Sequence, residues 1–145
     1  MNGAHLRQVL PDYDIVIDAT DQLENKFLIN DVCVSAEKPF VHGGITGFSG
    51  QVMTYVPEKG PCYRCIFGEI PEDNAPAPIP VIGVTAGIIG TIQAAEAIRY
   101  LLGIPSLLTG KLLVLDGLRM QFRTVPFPHV SEHCPLHTRK GVTDL

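Results

Sequence analysis

The sequence predicts an α/β domain in which helices pack on a mixed sheet. Residues 13–21, YDIVIDATD, form a short β-branched apolar run that ends in polar residues, which is typical of a parallel strand covered on both faces. Residues 23–38 have the apolar spacing of a helix that stops before Pro39. Residues 40–47, FVHGGITG, predict a second strand that is interrupted by its glycines. A strand, a helix and a strand in succession indicate a parallel βαβ unit.

The rest of the chain predicts further strands and one long helix. Alternating residues from Gln51 to Val56 indicate a third strand. Residues 66–80, IFGEIPEDNAPAPIP, are rich in proline and predict an extended, mobile crossover loop. A helix is expected over residues 82–102, and residues 111–127 predict a hairpin that turns at Asp116 and Gly117.

Small residues recur along one side of the long predicted helix. Each glycine inside a helix costs about 1 kcal/mol relative to alanine, so close packing must offset that cost. We therefore expect another element, from the same chain or from a second copy, to approach this face. Its members are Gly83, Gly87, Gly90, Ala94 and Ala97.

Composition excludes several classes of function. The chain has 145 residues, 46% of them apolar and 18% charged, which suits one folded domain without a repeat. A net charge of -4 gives no electrostatic reason to bind nucleic acid. The longest apolar stretch, residues 81–104, contains Gln93, Glu96 and Arg99 and is a poor membrane span. We expect a soluble, cytoplasmic protein with no membrane or nucleic-acid partner.

Two short motifs indicate a metal site. Cys62 and Cys65 form a CxxC between glycines and prolines, and Cys134 and His137 repeat that spacing in CPLH. In a reducing cytosol, such cysteines are metal ligands more often than disulfides. Three thiolates and one imidazole make a closed structural Zn²⁺ site without an open position for a substrate water.

Alternatives remain for the last ligand pair. Cys134 would otherwise be an unligated thiol and His137 a solvated side chain. His133 is a rival ligand, although adjacent residues rarely chelate one ion well, which favours His137. Cys33 lies among apolar residues of a predicted helix and is expected to be a core thiol.

The order of motifs resembles the ThiF/MoeB/HesA superfamily of adenylating enzymes, which are related to ubiquitin-activating enzymes. The motifs are DATDQ, FLINDVCV, VHGGITGFSGQV, CYRC, GTIQAAEAI and CPLH, and they extend from about Asp12 to His137. The resemblance implies the C-terminal part of a Rossmann-like adenylation domain with a zinc knuckle. Residues 1–145 would be a single partial domain of this type that lacks the N-terminal nucleotide-binding half. His137 stands where the family usually has a fourth cysteine.

The resemblance also implies a reaction. Family members use ATP to adenylate the C-terminal carboxylate of a ubiquitin-like or sulfur-carrier protein, in thiamine, molybdopterin or related sulfur-transfer biosynthesis. Asp21 corresponds to the aspartate that positions Mg²⁺ and the triphosphate, and Gln22 replaces the usual asparagine beside it. Without the resemblance, Asp21 would be interpreted as the cap of the following helix. Asp18 is expected to be structural.

Two departures from the family pattern limit the activity expected of the chain alone. The family's nucleotide-binding half, with its glycine-rich turn, would lie before Asp12, and the segment HGGITG follows a strand without opening a helix, so it is not a phosphate loop of its own. The crossover loop has no cysteine that could form a thioester. Lys26 and Arg64 are the basic candidates for a phosphate contact, and each is expected to be a solvated surface charge. The isolated chain should therefore be inactive without the missing half.

Two hypotheses follow. In the first, the chain is an adenylating enzyme that needs a nucleotide-binding half. It then associates either with another copy of itself or with that missing half. In the second, it is a zinc-stabilised, non-catalytic interaction module that retains the carrier-binding surface.

Overall fold

The computed structural model describes residues 2–70, 78 and 80–137. The central part of the predicted crossover loop lies outside the described residues. The bounds of the elements, in chain order, are α1 (Gly3–Val9), a 3₁₀ helix (Leu10–Asp12), β1 (Val16–Asp18), α2 (Leu23–Ser35), β2 (Phe40–Thr46), β3 (Ser49–Tyr55), α3 (Tyr63–Phe67), α4 (Gly83–Leu101), β4 (Lys111–Asp116) and β5 (Gln121–Pro126).

One mixed sheet of five strands organises the domain, in the order β1-β2-β3-β4-β5. β1 and β2 are parallel and are joined through α2, as the βαβ prediction requires. The pairs β2–β3, β3–β4 and β4–β5 are all antiparallel. The mixed α/β fold and the C-terminal hairpin are thus confirmed.

The glycines do not interrupt the second strand, contrary to the prediction. β2 pairs with β3 continuously from Phe40 to Thr46, through Gly43 and Gly44. Gly43 is required by its neighbour, because a β-carbon there would overlap the side chain of Gln93 on α4. This glycine marks a close approach of helix to strand rather than a break.

α2 covers one face of the sheet with a conventional apolar surface. Phe27, Val32 and Cys33 are buried there together with Phe40 of β2. Cys33 is fully buried, which confirms its prediction as a core thiol.

α4 packs on the sheet with polar side chains on its inner face. Thr85, Gln93 and Glu96 are buried, while Val84 is 72% exposed and Ile98 57% exposed. Glu96 accepts hydrogen bonds from Thr54 Oγ1 of β3 at 2.6 Å and from the backbone N–H of Leu108 at 2.7 Å. These bonds satisfy the buried carboxylate and fix the helix to the sheet.

The small-residue face of α4 does not pack within the described chain. Gly83, Gly87, Gly90 and Ala94 are exposed, and a β-carbon placed on any of the three glycines would meet no atom within 4 Å. Ala97 was predicted on the same face but is buried against the sheet. The expectation that an element of the same chain packs on this face is therefore wrong for the part of the chain that the structure describes.

β1 is the edge strand of the sheet, and the exposure of its alternating side chains shows that it is not covered on both faces as predicted. Ile17 is 47% exposed, whereas Asp18, the next residue, is 1% exposed. α1 was not predicted; it begins at Gly3, and the side chain of the N-cap residue Asn2 accepts a hydrogen bond from Ala4 N. Within the described residues, no helix is both long and apolar enough to cross a bilayer.

Candidate metal centre and the carboxyl end of β1

The CxxC motif forms a tight turn at the start of α3. Cys62 caps the helix in extended conformation, and the N–H of Cys65 donates to the carbonyl of Cys62 at 3.1 Å. The CPLH motif forms a matching turn, in which the N–H of His137 donates to the carbonyl of Cys134 at 3.1 Å. Each pair thus presents two ligand atoms from one turn.

The fold brings both turns together. The ligand atoms of Cys62, Cys65, Cys134 and His137 all lie within 4.8 Å of one another. Cys62 Sγ lies 3.7 Å from the Sγ atoms of both Cys65 and Cys134, too far for a disulfide, and Cys65 Sγ lies 3.2 Å from His137 Nδ1. A tetrahedral Zn²⁺ with Zn–S bonds of about 2.3 Å separates two sulfurs by about 3.8 Å. The ligand set could hold a metal ion and is consistent with zinc. His133 is exposed and is not one of the four.

The thiols of this cluster differ in acidity. A hydrogen bond from Cys62 lowers the pKa of Cys65, although burial opposes this shift. The same hydrogen bond, together with burial, raises the pKa of Cys62, and burial raises that of Cys134. Because thiolates are the metal-binding form, a bound ion would displace the remaining protons.

α2 holds the CxxC turn from the other side. Asn30 is fully buried, and its Oδ1 accepts from Tyr63 N at 2.8 Å. Asp31 accepts two hydrogen bonds from Arg64, at 2.6 and 2.7 Å. The guanidinium of Arg64 also lies 4.7 Å from the centre of the Phe27 ring. Arg64 thus forms a structural ion pair with Asp31 and is not the solvated charge that was predicted.

Asp21 lies in a second region, at the carboxyl end of β1. β1 ends at Asp18 and α2 begins at Leu23, so Asp21 lies in the short turn between them, where it is exposed. Gln22 is the N-terminal cap residue of α2, and its Oε1 accepts from Asn25 Nδ2 at 3.1 Å. Asp21 is therefore adjacent to the cap position and is not itself the cap.

A buried polar network lies directly beneath this turn. Asp18 Oδ1 accepts from Thr20 N at 3.0 Å and from Thr20 Oγ1 at 2.7 Å. Asp18 Oδ2 lies 3.2 Å from Lys26 Nζ and 2.9 Å from His42 Nδ1. Lys26 Nζ also donates to the carbonyl of Gly43 at 2.6 Å. Lys26 is 8% exposed, so its prediction as a surface charge is wrong.

Burial and the neighbouring groups together set the charges within this network. Burial by itself raises the pKa of Asp18. The hydrogen bond from His42 and the charge of Lys26 outweigh this effect and lower that pKa to about 2. Burial lowers the pKa of His42, which is therefore neutral, donates Nδ1–H to Asp18 and keeps Nε2 as an acceptor. Burial also lowers the pKa of Lys26, against the attraction of Asp18 and Asp21.

Aromatic residues of α3 connect the two regions. The ring of His42 lies 4.6 Å from that of Tyr63 and 6.1 Å from that of Phe67. α3 thus begins at the cysteine cluster. The aromatic rings that it carries cover His42 and exclude water from it.

An open α/β sheet with an exposed acidic residue at a strand end and a Cys₃His cluster that could hold a metal ion defines the class of domain. A family model described as the ThiF family matches residues 1–136, and the chain belongs to that family.

Relatives of this chain carry the names of enzymes. The chain is 40% identical, over 151 aligned residues, to a "SAMP-activating enzyme E1" of Haloferax volcanii, covering 100% of this chain and 54% of that protein. It is 35% identical to an "Adenylyltransferase and sulfurtransferase MOCS3" of Drosophila persimilis, covering 95% of this chain and 33% of that protein. The chain therefore spans about half or less of the length of these relatives.

Solved structures share the fold. A crystal structure of E. coli MccB with MccA-N7isoASN has a TM-score of 0.78 at 18% identity, over 94% of this chain and 43% of that one. A structure of E. coli MccB with ATP has a TM-score of 0.76 at 21% identity, over 93% of this chain and 42% of that one. At these identities the likeness concerns the fold alone.

Proposed function

We propose that this chain is part of an E1-like activating enzyme that uses ATP to adenylate the C-terminal carboxylate of a ubiquitin-like or sulfur-carrier protein in the cytoplasm. The observation that carries the proposal is the position of Asp21. Asp21 is exposed and lies just beyond the end of β1, which pairs in parallel with β2. Ligands of open α/β sheets bind at the carboxyl ends of such strands.

Asp21 would hold the Mg²⁺ that accompanies the triphosphate. A carboxylate oxygen is the ligand that this hard cation prefers, and an exposed carboxylate leaves room for water and phosphate in the same coordination shell. Bound Mg²⁺ would neutralise phosphate charge. Gln22 lies next to Asp21, but its side-chain oxygen already accepts from Asn25, so we assign it a supporting contact at most.

A nucleotide-binding half must act together with these residues. Adenylation requires donors that cradle the phosphates and hold both substrates together. Two basic residues that were candidates for such contacts are engaged elsewhere: Lys26 with Asp18 and Arg64 with Asp31. The relatives named as activating enzymes and adenylyltransferases are about twice as long or more. We assign the phosphate-binding groups to such a half.

We assign a structural Zn²⁺ to Cys62, Cys65, Cys134 and His137. Four protein ligands leave no open position, so the ion would stabilise the fold and take no part in adenylation. It would join the chain near Cys134 to α3, which lies against the buried network at the end of β1.

Self-association is proposed for the outer face of α4. Gly83, Gly87 and Gly90 would let a second backbone approach closely, and the neighbouring Val84 and Ile98 are exposed apolar side chains. A helix that is apolar on its outer face is normally covered. Sedimentation should show an oligomer, and Gly87→Glu should convert it to a folded monomer.

Pyrophosphate exchange tests the proposed reaction. The assay contains ATP, Mg²⁺ and a carrier protein, with and without a supplied nucleotide-binding half. Exchange should appear only with that half and disappear with Asp21→Ala. Asp14→Ala, which alters an exposed aspartate before the N-terminal end of β1, should retain it.

Other results would favour the alternative, a zinc-stabilised interaction module. In that case the completed protein would bind a carrier protein with the same affinity in the wild type and in Asp21→Ala, and would show no exchange. Exchange by the isolated chain would contradict the need for a second half.

A further inference from the structure

The turn that carries Asp21 is held by the buried carboxylate of Asp18. One oxygen of Asp18 accepts both the N–H and the hydroxyl of Thr20, the residue before Asp21. The carbonyl of Asp18 accepts from Gln93 Nε2 of α4 at 2.7 Å. The start of the turn is therefore fixed to the carboxylate and to the underlying helix.

Lys26 holds the same carboxylate from the opposite side of the turn. It lies in the first turns of α2, and its ammonium reaches back to Asp18 Oδ2 at 3.2 Å and to the carbonyl of Gly43 at 2.6 Å. It thereby joins β1, β2 and α2 at the point where the turn leaves the sheet. His42, which is neutral, supplies a further hydrogen bond to Asp18 but no charge.

We propose that Lys26, acting through Asp18, is a positioning residue that sets the location of the Asp21 carboxylate for its substrate. This inference rests on the proposed function, in which Asp21 contacts Mg²⁺ and ATP. Lys26 is buried and does not contact substrate itself. Its role is to keep Asp18 ionised and oriented toward Thr20, because a carboxylate without its cation would turn or take up a proton and release the hydroxyl of Thr20.

A purely structural lysine would make a different prediction. If the pair only supported the core, its loss would lower stability as any buried defect does, and the folded fraction would retain full turnover. A positioning residue instead changes turnover in protein that is fully folded, because small displacements of a reacting group are costly to the rate.

The experiment measures pyrophosphate exchange by the chain completed with its nucleotide-binding half. Lys26→Met should lower kcat by about 10-fold or more, with KM for the carrier protein changed by less than about 2-fold. Lys26→Arg, which keeps the cation, should recover most of the rate. Thr54→Val is the matched control, because it removes a buried hydrogen bond to Glu96 on another part of α4 and should leave kcat unchanged.

A second measurement does not need activity. In NMR spectra of the full chain, Lys26→Met should shift the amide signals of Thr20, Asp21 and Gln22, and Lys26→Arg should return them toward wild type. Thr54→Val should leave these signals in place.

The outcomes are separable. If Asp21→Ala abolishes exchange but folded Lys26→Met keeps wild-type kcat, the positioning role is wrong and the proposed function stands. If Asp21→Ala retains exchange, both are wrong. If Lys26→Met does not fold, Thr20→Val decides, because it removes only the hydroxyl link between Asp18 and the turn. A reduced kcat in Thr20→Val supports the proposal, and an unchanged kcat overturns it.

Discussion

The cysteine cluster and the end of β1 show two ways of placing polar groups in one small domain. The cluster is closed, because its four ligand atoms face one another and suit one ion without any other molecule. The end of β1 is layered, with a neutralised buried network below and the exposed carboxylate of Asp21 above it. Groups that face inward determine stability, whereas the group that faces outward is available for chemistry.

The largest expected effect is on the closed site. Cys134→Ser should lower the free energy of unfolding by more than about 5 kcal/mol and release the metal, because metal binding is coupled to folding. Elemental analysis should find about one Zn²⁺ per wild-type chain. Cys33→Ala is the control: it removes a core thiol, should cost only about 1 kcal/mol, and should retain the metal. Wild-type protein that is folded and free of metal would contradict the interpretation of the cysteine cluster as a closed metal site.

Lys26→Met should have the next largest effect. Removing one partner of a buried ion pair costs about 3–5 kcal/mol, because the remaining charge stays buried without compensation. Lys26 and Asp18 side chains are only 9% and 2% exposed, so solvent screens them little. Denaturant unfolding measures the loss. The double variant Asp18→Asn with Lys26→Met should be more stable than Lys26→Met alone, and equal stabilities would show that the pair is not coupled.

Acid should weaken the layered site in two steps. The pKa of Asp18 is lowered from 3.8 to about 2, so it contributes about 2 kcal/mol that is present above pH 4 and lost as the pH falls toward 2. The pKa of His42 is lowered below 6.5, so the unfolded state takes up this proton first and stability falls as the pH drops below 6.5.

His42→Asn separates the histidine effect from metal release. The wild type and His42→Asn both lose metal affinity in acid, so the difference between their unfolding free energies isolates the titration of His42. Unfolding free energies measured from pH 7 to pH 5 should fall less steeply in the variant. Parallel slopes would mean that His42 does not titrate on unfolding in this range.

The smallest expected stability change is at Asp21. Asp21→Ala alters an exposed side chain and should change the free energy of unfolding by no more than about 0.5 kcal/mol. The same variant should abolish exchange in the completed enzyme. Thermal unfolding and the exchange assay on one preparation give both values. A large loss of stability would place Asp21 with the inward-facing groups instead.

The sequence by itself determined most of the sheet, the two longer helices and the local turns. β-branched and helical periodicities predicted the βαβ unit and the C-terminal hairpin, because they depend on neighbours along the chain. The two ligand pairs were also predictable, since Cys62 with Cys65 and Cys134 with His137 are each presented by one turn.

Only the tertiary structure decided which polar residues are buried. Lys26 and Arg64 look like surface charges along the chain, but Asp18 and Asp31 lie beside them in the fold. α4 carries glycines outward and Gln93 and Glu96 inward, because the carbonyl of Asp18, Thr54 and the loop at Leu108 provide their hydrogen-bond partners. Periodicity reports which residues share a face of a helix. Which face is buried depends on contacts between residues far apart in the sequence.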